Sequence, residues 1–269
     1  MHYRIFGSGE PLIILHGLFG CWDNWYPVAK DLSQRFGVCV PDLRNHGRSF
    51  HSARFDYDVM ADDIRRLMDE IGLTRASLLG HSMGGKAAMR VAARFPRRIA
   101  RLIIVDITYK ACRPIYAEAI DALCRLDLGS LTRLKDAEQR LRPAIPDPTV
   151  RMFLLKNLEH TRDNGYRWKV NLDSIRRNQA EICGPVKVRR LLTPSLFVRG
   201  GKSEYIRDSD WPEIKTIFPR AELVTLAHAG HWAHADDKDG FLKTVKEFMA
   251  RSRGIGSPGD GFTSLDCIC

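Results

Sequence analysis

A serine between two glycines is the strongest indication of chemistry in this sequence. The pentapeptide Gly80-His81-Ser82-Met83-Gly84 follows the apolar run Ser77-Leu78-Leu79 and opens a segment with helical periodicity. A serine on a sharp strand-to-helix turn adopts a strained backbone that only small neighbours tolerate, and its hydroxyl projects from the top of the sheet. A helix N-cap serine would not explain the elements that follow. The pattern therefore predicts Ser82 as the nucleophile of an acyl transfer.

A serine hydroxyl becomes a good nucleophile only when a base removes its proton, and histidine is the usual base. The segment 227–234 follows an apolar run and contains His228, His231 and His234. His231 comes directly after Gly230, which would let the loop fold back over the serine. We therefore predict His231 as the general base and interpret the other two as loop or surface histidines.

The acid that orients this base is less clearly defined. Asp106 ends the apolar run Ile103-Ile104-Val105 and would lie on the same rim of the sheet as Ser82. A carboxylate there could fix the imidazole tautomer and stabilise its charged form. Ser203 and Glu204 follow a later strand, and Ser203 carries no charge to stabilise an imidazolium. The residues alone leave Asp106 as the first candidate and Glu204 as the alternative acid.

An acyl transfer also needs hydrogen-bond donors for the negative charge that develops on the carbonyl oxygen. One predicted donor is the backbone N–H of Met83, directly after the nucleophile and at the start of a helix. The second should come from the loop after the first strong strand, His16-Gly17-Leu18-Phe19-Gly20, where we select the N–H of Leu18. Met83 and Leu18 are therefore the predicted oxyanion hole.

Short apolar runs alternate with helical patterns along the chain. The predicted strands are 12–15, 38–40, 76–79, 102–107, 196–198 and 223–226, and the predicted helices include 59–71, 83–95 and 241–249. Such alternation is typical of an α/β fold with a mostly parallel, doubly wound sheet. Ligands of these sheets bind beyond the carboxyl ends of the strands, where the predicted catalytic residues lie.

The segment 108–190 interrupts this alternation with helical periods and prolines at positions 143, 146, 148 and 185. We interpret it as a helical cap inserted between two strands of a core formed by 1–107 and 191–252. Residues 253–269 contain four glycines and a proline and are predicted to be a flexible tail.

The net charge of +10 is concentrated in the cap. Residues 108–193 contain 17 Lys and Arg against 10 Asp and Glu, so seven of the ten net positive charges lie there. We interpret this excess as a solvated helical surface, with attraction of an acidic substrate or lipid surface as the alternative. Its confinement to an insert argues against a nucleic-acid-binding protein.

The composition is that of a globular protein, with 44% hydrophobic and 28% charged residues. We predict no stable membrane insertion, because no apolar stretch approaches the roughly 18 residues that a membrane helix needs. The N-terminus does not resemble a signal peptide, and a cytoplasmic location is predicted. The seven cysteines are odd in number and form no CxxC pair, which indicates neither a disulfide framework nor a zinc site.

Taken together, these motifs resemble the α/β-hydrolase superfamily over nearly the whole chain, and within it the YbfF-type esterases. The resembling motifs are His16-Gly17-Leu18-Phe19-Gly20 with Asp23-Asn24, Asp42-Leu43-Arg44-Asn45-His46-Gly47-Arg48-Ser49, Gly80-His81-Ser82-Met83-Gly84-Gly85-Lys86, Arg199-Gly200-Gly201-Lys202-Ser203 and Gly230-His231-Trp232. That subgroup lacks the usual acid after the cap and uses the aspartate that ends the strand before it. The resemblance therefore implies Asp106 as the acid, 24 positions after Ser82.

The resemblance also implies activity on short acyl esters and acyl-CoA thioesters. We expect a serine hydrolase that cleaves short- to medium-chain carboxylic esters, and acyl-CoA thioesters, through an acyl-enzyme. The reaction requires no cofactor and no metal, and the predicted partner is the small-molecule ester or acyl-CoA, with the chain a monomer or dimer. A non-hydrolytic ligand receptor or an acyltransferase on the same fold is the alternative. Cys267-Ile268-Cys269 resembles a lipid-attachment ending, but we interpret it as part of the tail.

Overall fold

A seven-stranded sheet forms the centre of the molecule in the computed structural model, which describes residues 1–114, 116–163 and 165–251. The strands of the described residues are β1 (Tyr3–Phe6), β2 (Pro11–Leu15), β3 (Gly37–Pro41), β4 (Ala76–His81), β5 (Ile99–Val105), β6 (Leu158–His160), β7 (Tyr166–Trp168), β8 (Ser195–Gly200) and β9 (Ala221–Leu226). Of these, β6 and β7 pair only with each other. The order in the sheet is β1-β3-β2-β4-β5-β8-β9. β1 pairs antiparallel with β3, and the other pairings in this sheet are parallel. The predicted fold class is confirmed.

Burial explains which strands the sequence predicts and which it does not. Every residue of β2, β3 and β4 is buried, so these strands form continuous apolar runs rather than alternating patterns. β1 is only half-buried along its length and includes the charged Arg4, and it was not among the predicted strands.

Helices cover both faces of the sheet. In chain order they are α1 (Tyr26–Leu32), α2 (Tyr57–Glu70), α3 (Met83–Arg94), α4 (Ala117–Arg125), α5 (Leu134–Leu141), α6 (Pro148–Leu155), α7 (Leu172–Arg177), α8 (Gln179–Cys183), α9 (Trp211–Ile217), α10 (Ala233–Asp236) and α11 (Lys238–Arg251). Buried side chains of α2, α3 and α9 pack into one hydrophobic core, and those of α1 and α11 pack into a second. No helix within the described ranges has the length and apolar character to cross a membrane.

The described part of the segment between β5 and β8 contains α4 to α8, in agreement with the predicted helical cap between two strands, and also the hairpin of β6 and β7. The sequence analysis did not predict this hairpin. Glu159 lies opposite Arg167 in the hairpin and forms a 2.5 Å ion pair with it. Strands of three residues are too short to show an alternating pattern in the sequence.

The boundaries of the core, 1–107 and 191–252, and of the cap, 108–190, remain our proposal. The tail 253–269, with Cys267 and Cys269, lies outside the described residues.

Hydrogen bonds of three asparagines join the cap to two loops of the core. The Asn157 side chain, which is buried, donates to the Phe19 carbonyl at 2.9 Å. The Asn171 backbone N–H donates to the Asn45 carbonyl at 2.9 Å, and the Asn45 side chain donates to the Ser174 hydroxyl at 3.0 Å. The loop after β2 and the loop after β3 thus both carry the cap.

Two buried histidines join these loops to each other. The N–H of Leu43 donates to His16 Nε2 at 2.9 Å, and the N–H of Phe19 donates to His46 Nε2 at 3.1 Å. Because each Nε2 accepts a hydrogen bond, each ring must be neutral with its proton on Nδ1. The Nδ1 atoms donate to the Gly17 and Arg44 carbonyls at 2.8 and 2.9 Å. Protonation of either ring would break the contact between the loops.

Burial keeps these rings neutral. It lowers the pKa of His16 to about 4 and is also the main reason that the pKa of His46 falls to about 3, with the neighbouring His16 adding to the effect. Burial likewise lowers the pKa of His81 well below its usual value and that of His234 to about 3. The unfolded chain, whose histidines titrate near pH 6.5, therefore binds more protons than the folded protein in mildly acidic solution.

The free energy of unfolding should consequently fall as pH drops from 7 to 5. Each buried histidine contributes up to about 1.4 kcal/mol per pH unit below its unfolded pKa. Urea unfolding at several pH values measures the slope. His46→Gln, which keeps an acceptor but does not titrate, should reduce the slope by about one proton. A flat pH dependence in the unmodified protein, or an unchanged slope in the variant, would contradict this assignment.

Candidate active site

Ser82 occupies the sharp turn between β4 and α3. Its backbone angles are φ 51° and ψ −118°, a region that non-glycine residues rarely adopt and that stores strain. The flanking glycines permit this turn. A Cβ on Gly80 would lie 2.3 Å from the Gly84 carbonyl oxygen, and one on Gly84 would lie 2.2 Å from the Leu15 carbonyl oxygen. The glycines that predict the turn are thus required for the close approach of α3 to the sheet.

Asp106 follows β5 directly and is fully buried. Its backbone also has a positive φ, 51°. One carboxylate oxygen accepts the N–H of Gly200 at 3.1 Å. The other accepts His231 Nδ1 at 2.8 Å and the hydroxyl of Ser203. These donors compensate for the loss of hydration that an ionised carboxylate suffers in the interior.

His231 is held on three sides. Asp106 binds its Nδ1, Tyr205 stacks on the ring at a centroid distance of 4.0 Å, and His81 Nε2 contacts the His231 carbonyl at 2.8 Å. With Nδ1 bound to the carboxylate, Nε2 is left as the basic nitrogen. His231 and Ser82 line the same pocket, together with Leu18. The structure thus brings the predicted nucleophile, base and acid to one rim of the sheet.

The structure places the alternative acid elsewhere. The Glu204 side chain is 87% exposed and lies 3.6 Å from Arg207, so Asp106 is the carboxylate at His231. Ser203, which was set aside in the sequence because it has no charge, instead hydrogen-bonds the carboxylate. One feature of the sequence could have indicated this role of Ser203. It ends the run Arg199-Gly200-Gly201-Lys202-Ser203, which follows β8 on the same rim of the sheet. His234 was interpreted as a loop or surface histidine, but it lies in α10, is buried and stacks on Trp25 with a centroid distance of 4.0 Å.

The two predicted oxyanion donors lie beside Ser82. Met83 is the first residue of α3, where the backbone N–H has no partner within the helix. Leu18 lies in the loop that His46 holds through the neighbouring Phe19. Leu18, Ser82 and Met83 together line one cavity. Both residues therefore line the cavity that Ser82 also lines.

This cavity lies between the core and the cap and has a volume of about 50 Å³, room for roughly four water-sized groups. Its walls are mostly apolar, and the large side chains that form them include Tyr57, Ile107, Tyr116, Ile120, Ile175 and Ile182. Arg113 is the only cap cation among its described lining residues, and Lys86 reaches it from the core. The arrangement suits a small apolar group attached to a polar reacting centre.

Comparisons with known proteins identify the family of this chain. Residues 10–238 match the family model described as alpha/beta hydrolase fold. The chain is 38% identical to the sn-1-specific diacylglycerol lipase ABHD11 of Danio rerio, covering 90% of this chain and 79% of the relative. It is 32% identical to Esterase YbfF of Escherichia coli, covering 90% and 94%. A solved structure described as a marine microorganism esterase superposes with a TM-score of 0.89 at 41% identity, covering 92% and 98%. The chain therefore belongs to the α/β-hydrolase fold family, among its YbfF-type esterases.

Proposed function

We propose that this chain hydrolyses short- to medium-chain carboxylic esters, and acyl-CoA thioesters, with Ser82 as nucleophile, His231 as general base and Asp106 as the orienting acid. The main support is the hydrogen bond from His231 to a fully buried carboxylate, in a pocket that also contains a serine on a strained turn. The esterases and lipases among the relatives point to the same reaction class.

In the proposed reaction, the Ser82 hydroxyl attacks the substrate carbonyl while His231 Nε2 takes its proton. The N–H groups of Met83 and Leu18 stabilise the oxyanion. His231 then protonates the leaving alcohol or thiol, and an acyl group remains on Ser82. Water attacks the acyl-enzyme with His231 again as base. Asp106 stays ionised throughout and stabilises the imidazolium.

The cavity supports a preference for short acyl groups, because its volume of about 50 Å³ leaves little room for a long chain without movement of the cap. For acyl-CoA, Arg113, the cap cation among the described lining residues of the cavity, is our candidate for a phosphate contact. Lys187, Arg189 and Arg190 line a groove with residues that precede β5 and β8. That groove is at the amino ends of the strands, away from Ser82, so these three cap cations are not directed at the substrate.

The predictions of a cytoplasmic location and of a monomer or dimer are retained as part of this proposal. The alternatives, a ligand receptor and an acyltransferase, differ from a hydrolase in their products. A receptor releases no alcohol from an ester. An acyltransferase transfers the acyl group to an added alcohol in preference to water.

Ser82→Ala should abolish hydrolysis of p-nitrophenyl acetate and butyrate, with a loss of at least about 10³-fold in kcat/KM. Release of p-nitrophenol and of free acid from these esters measures the activity, and thiol release from acetyl-CoA tests the thioester part. Ser33→Ala, at the end of α1 on the far side of the sheet from the cap, is the matched serine control. The circular dichroism spectrum and the urea-unfolding midpoint of Ser82→Ala should match those of the unmodified protein. Activity that survives in the folded variant would refute Ser82 as nucleophile.

Ser203→Ala should lower kcat about tenfold with little change in KM, because the Asp106 carboxylate loses one of its donors and orients His231 less well. Ser203→Thr keeps the hydroxyl and is the matched control. Steady-state kinetics on butyrate esters separates the two constants. Full activity in the alanine variant, or an equal loss in both variants, would show that the hydroxyl has no positioning role.

A further inference from the structure

Two cysteines face each other where the cap joins the core. The chain enters the cap through Tyr109–Cys112 and leaves it through Cys183–Val186, two segments that we call the neck. The N–H of Val186 donates to the Tyr109 carbonyl at 2.7 Å, and the N–H of Cys112 donates to the Cys183 carbonyl at 2.8 Å. These two backbone hydrogen bonds join the incoming and outgoing segments, and one of them directly links Cys112 to Cys183.

Both cysteines are free and partly exposed. Each thiol shifts the pKa of the other, as expected of neighbouring groups. The direct backbone hydrogen bond between the two residues keeps their Cα atoms within about 7 Å of each other, close to the range that a disulfide spans. Both side chains line the cavity beside Ser82, so a small molecule that enters the cavity can reach them.

A lysine from the core activates one of these thiols. Lys86, on α3, is 1% exposed, and its ammonium group donates to the Gly184 carbonyl at 2.7 Å. The same Nζ lies 3.7 Å from Cys112 Sγ and 3.4 Å from the Cys183 carbonyl oxygen. Among the described residues, Lys86 has no carboxylate partner in an ion pair, which leaves its charge facing the neck.

The two thiols consequently have different proton affinities. The neighbouring Cys183 thiol lowers the pKa of Cys112 to about 6, and the Lys86 charge contributes to the shift. The pKa of Cys183 is raised, mainly by the same neighbour. The thiolate therefore forms more readily on Cys112 than on Cys183, and a thiolate beside a thiol is the combination that peroxide oxidation to a disulfide requires.

We propose that Cys112 and Cys183 are a redox-modification site that forms a reversible disulfide across the neck when the protein meets a hydroperoxide. The Cys112 thiolate attacks one peroxide oxygen and becomes a sulfenic acid, while the other oxygen leaves and is protonated to water. The Cys183 sulfur then attacks the sulfenic sulfur, and a second water leaves. For hydrogen peroxide, two thiols lose two hydrogens and two electrons in total, and the peroxide is reduced to two waters.

The disulfide would restrain the wall of the cavity. Arg113, Pro114 and Tyr116 continue directly from Cys112 and line the cavity, so tying Cys112 to Cys183 fixes the start of this wall. Entry of a long acyl chain requires the cap to move away from the core. Oxidation should therefore reduce turnover of long-chain esters more than that of short-chain esters, a consequence that rests on the proposed function.

Peptide mass mapping of the full-length protein tests the disulfide independently of any hydrolysis. The protein is treated with hydrogen peroxide, denatured, alkylated with iodoacetamide and digested without reductant. We expect a linked peptide containing Cys112 and Cys183, lighter by two hydrogens than the separate peptides, and its loss after dithiothreitol. Retention of both alkylated thiols would overturn the proposal, as would a bond from either cysteine to Cys21, Cys124, Cys267 or Cys269.

Two variants add to this measurement. In Cys183→Ser, the peroxide-treated protein should carry a sulfenic acid at Cys112 that reacts with dimedone, whereas Cys124→Ser, the matched control on α4, should form the linked peptide as the unmodified protein does. The same dimedone adduct in the peroxide-treated unmodified protein, without the linked peptide, would contradict the role of Cys183.

A separate assay measures how oxidation affects the cavity. Oxidised protein should show a several-fold drop in the ratio of decanoate to butyrate ester hydrolysis, restored by dithiothreitol and absent in Cys183→Ser. An unchanged ratio in protein that contains the linked peptide would overturn the restraint on the cap. If neither ester is hydrolysed before oxidation, the proposed function fails, and the mass mapping still decides whether the disulfide forms.

Discussion

The arrangement of Ser82, His231 and Asp106 depends on a single buried negative charge. Asp106 is fully buried, and its carboxylate accepts hydrogen bonds from Gly200, Ser203 and His231. Removing a carboxylate from water costs several kcal/mol unless donors replace the lost hydration. The donors come from β8, the loop that follows it and the loop that precedes α10. Satisfying this charge therefore joins the end of β5 to two later segments and leaves His231 with one free nitrogen.

Two neutral histidines, in the loops after β2 and β3, support the same rim of the sheet. His16 and His46 accept N–H groups from neighbouring loops, and the segment between them carries the predicted oxyanion donor Leu18. The Asn157 side chain binds the Phe19 carbonyl, so the cap is docked on the loop that would bind the substrate oxygen. Opening of the cap would therefore disturb the loop that carries the proposed oxyanion donor, and the neck is a further point at which cap and core are joined.

Local patterns in the sequence were sufficient for six of the seven strands of the sheet, for the sharp turn at Ser82 and for the histidine loop. Glycine spacing and apolar runs report conformations of a few consecutive residues. The residues alone did not decide between Asp106 and Glu204. That choice depends on which carboxylate meets an imidazole 125 positions away in the chain. The role of Ser203 was missed for the same reason, since its hydroxyl acts on a carboxylate 97 positions earlier. The sequence did not predict the short hairpin of β6 and β7, because strands of three residues are too short to show an alternating pattern.

The central claim is that Asp106 and His231 act together to make the Ser82 hydroxyl nucleophilic. The most direct measurement is the rate at which a fluorophosphonate probe adds covalently to the protein, followed by intact mass and located by peptide mapping. The account predicts one adduct, on Ser82, with its rate of formation strongly reduced in folded His231→Ala and Asp106→Asn. An adduct on another residue, or an unchanged rate in both variants, would contradict it.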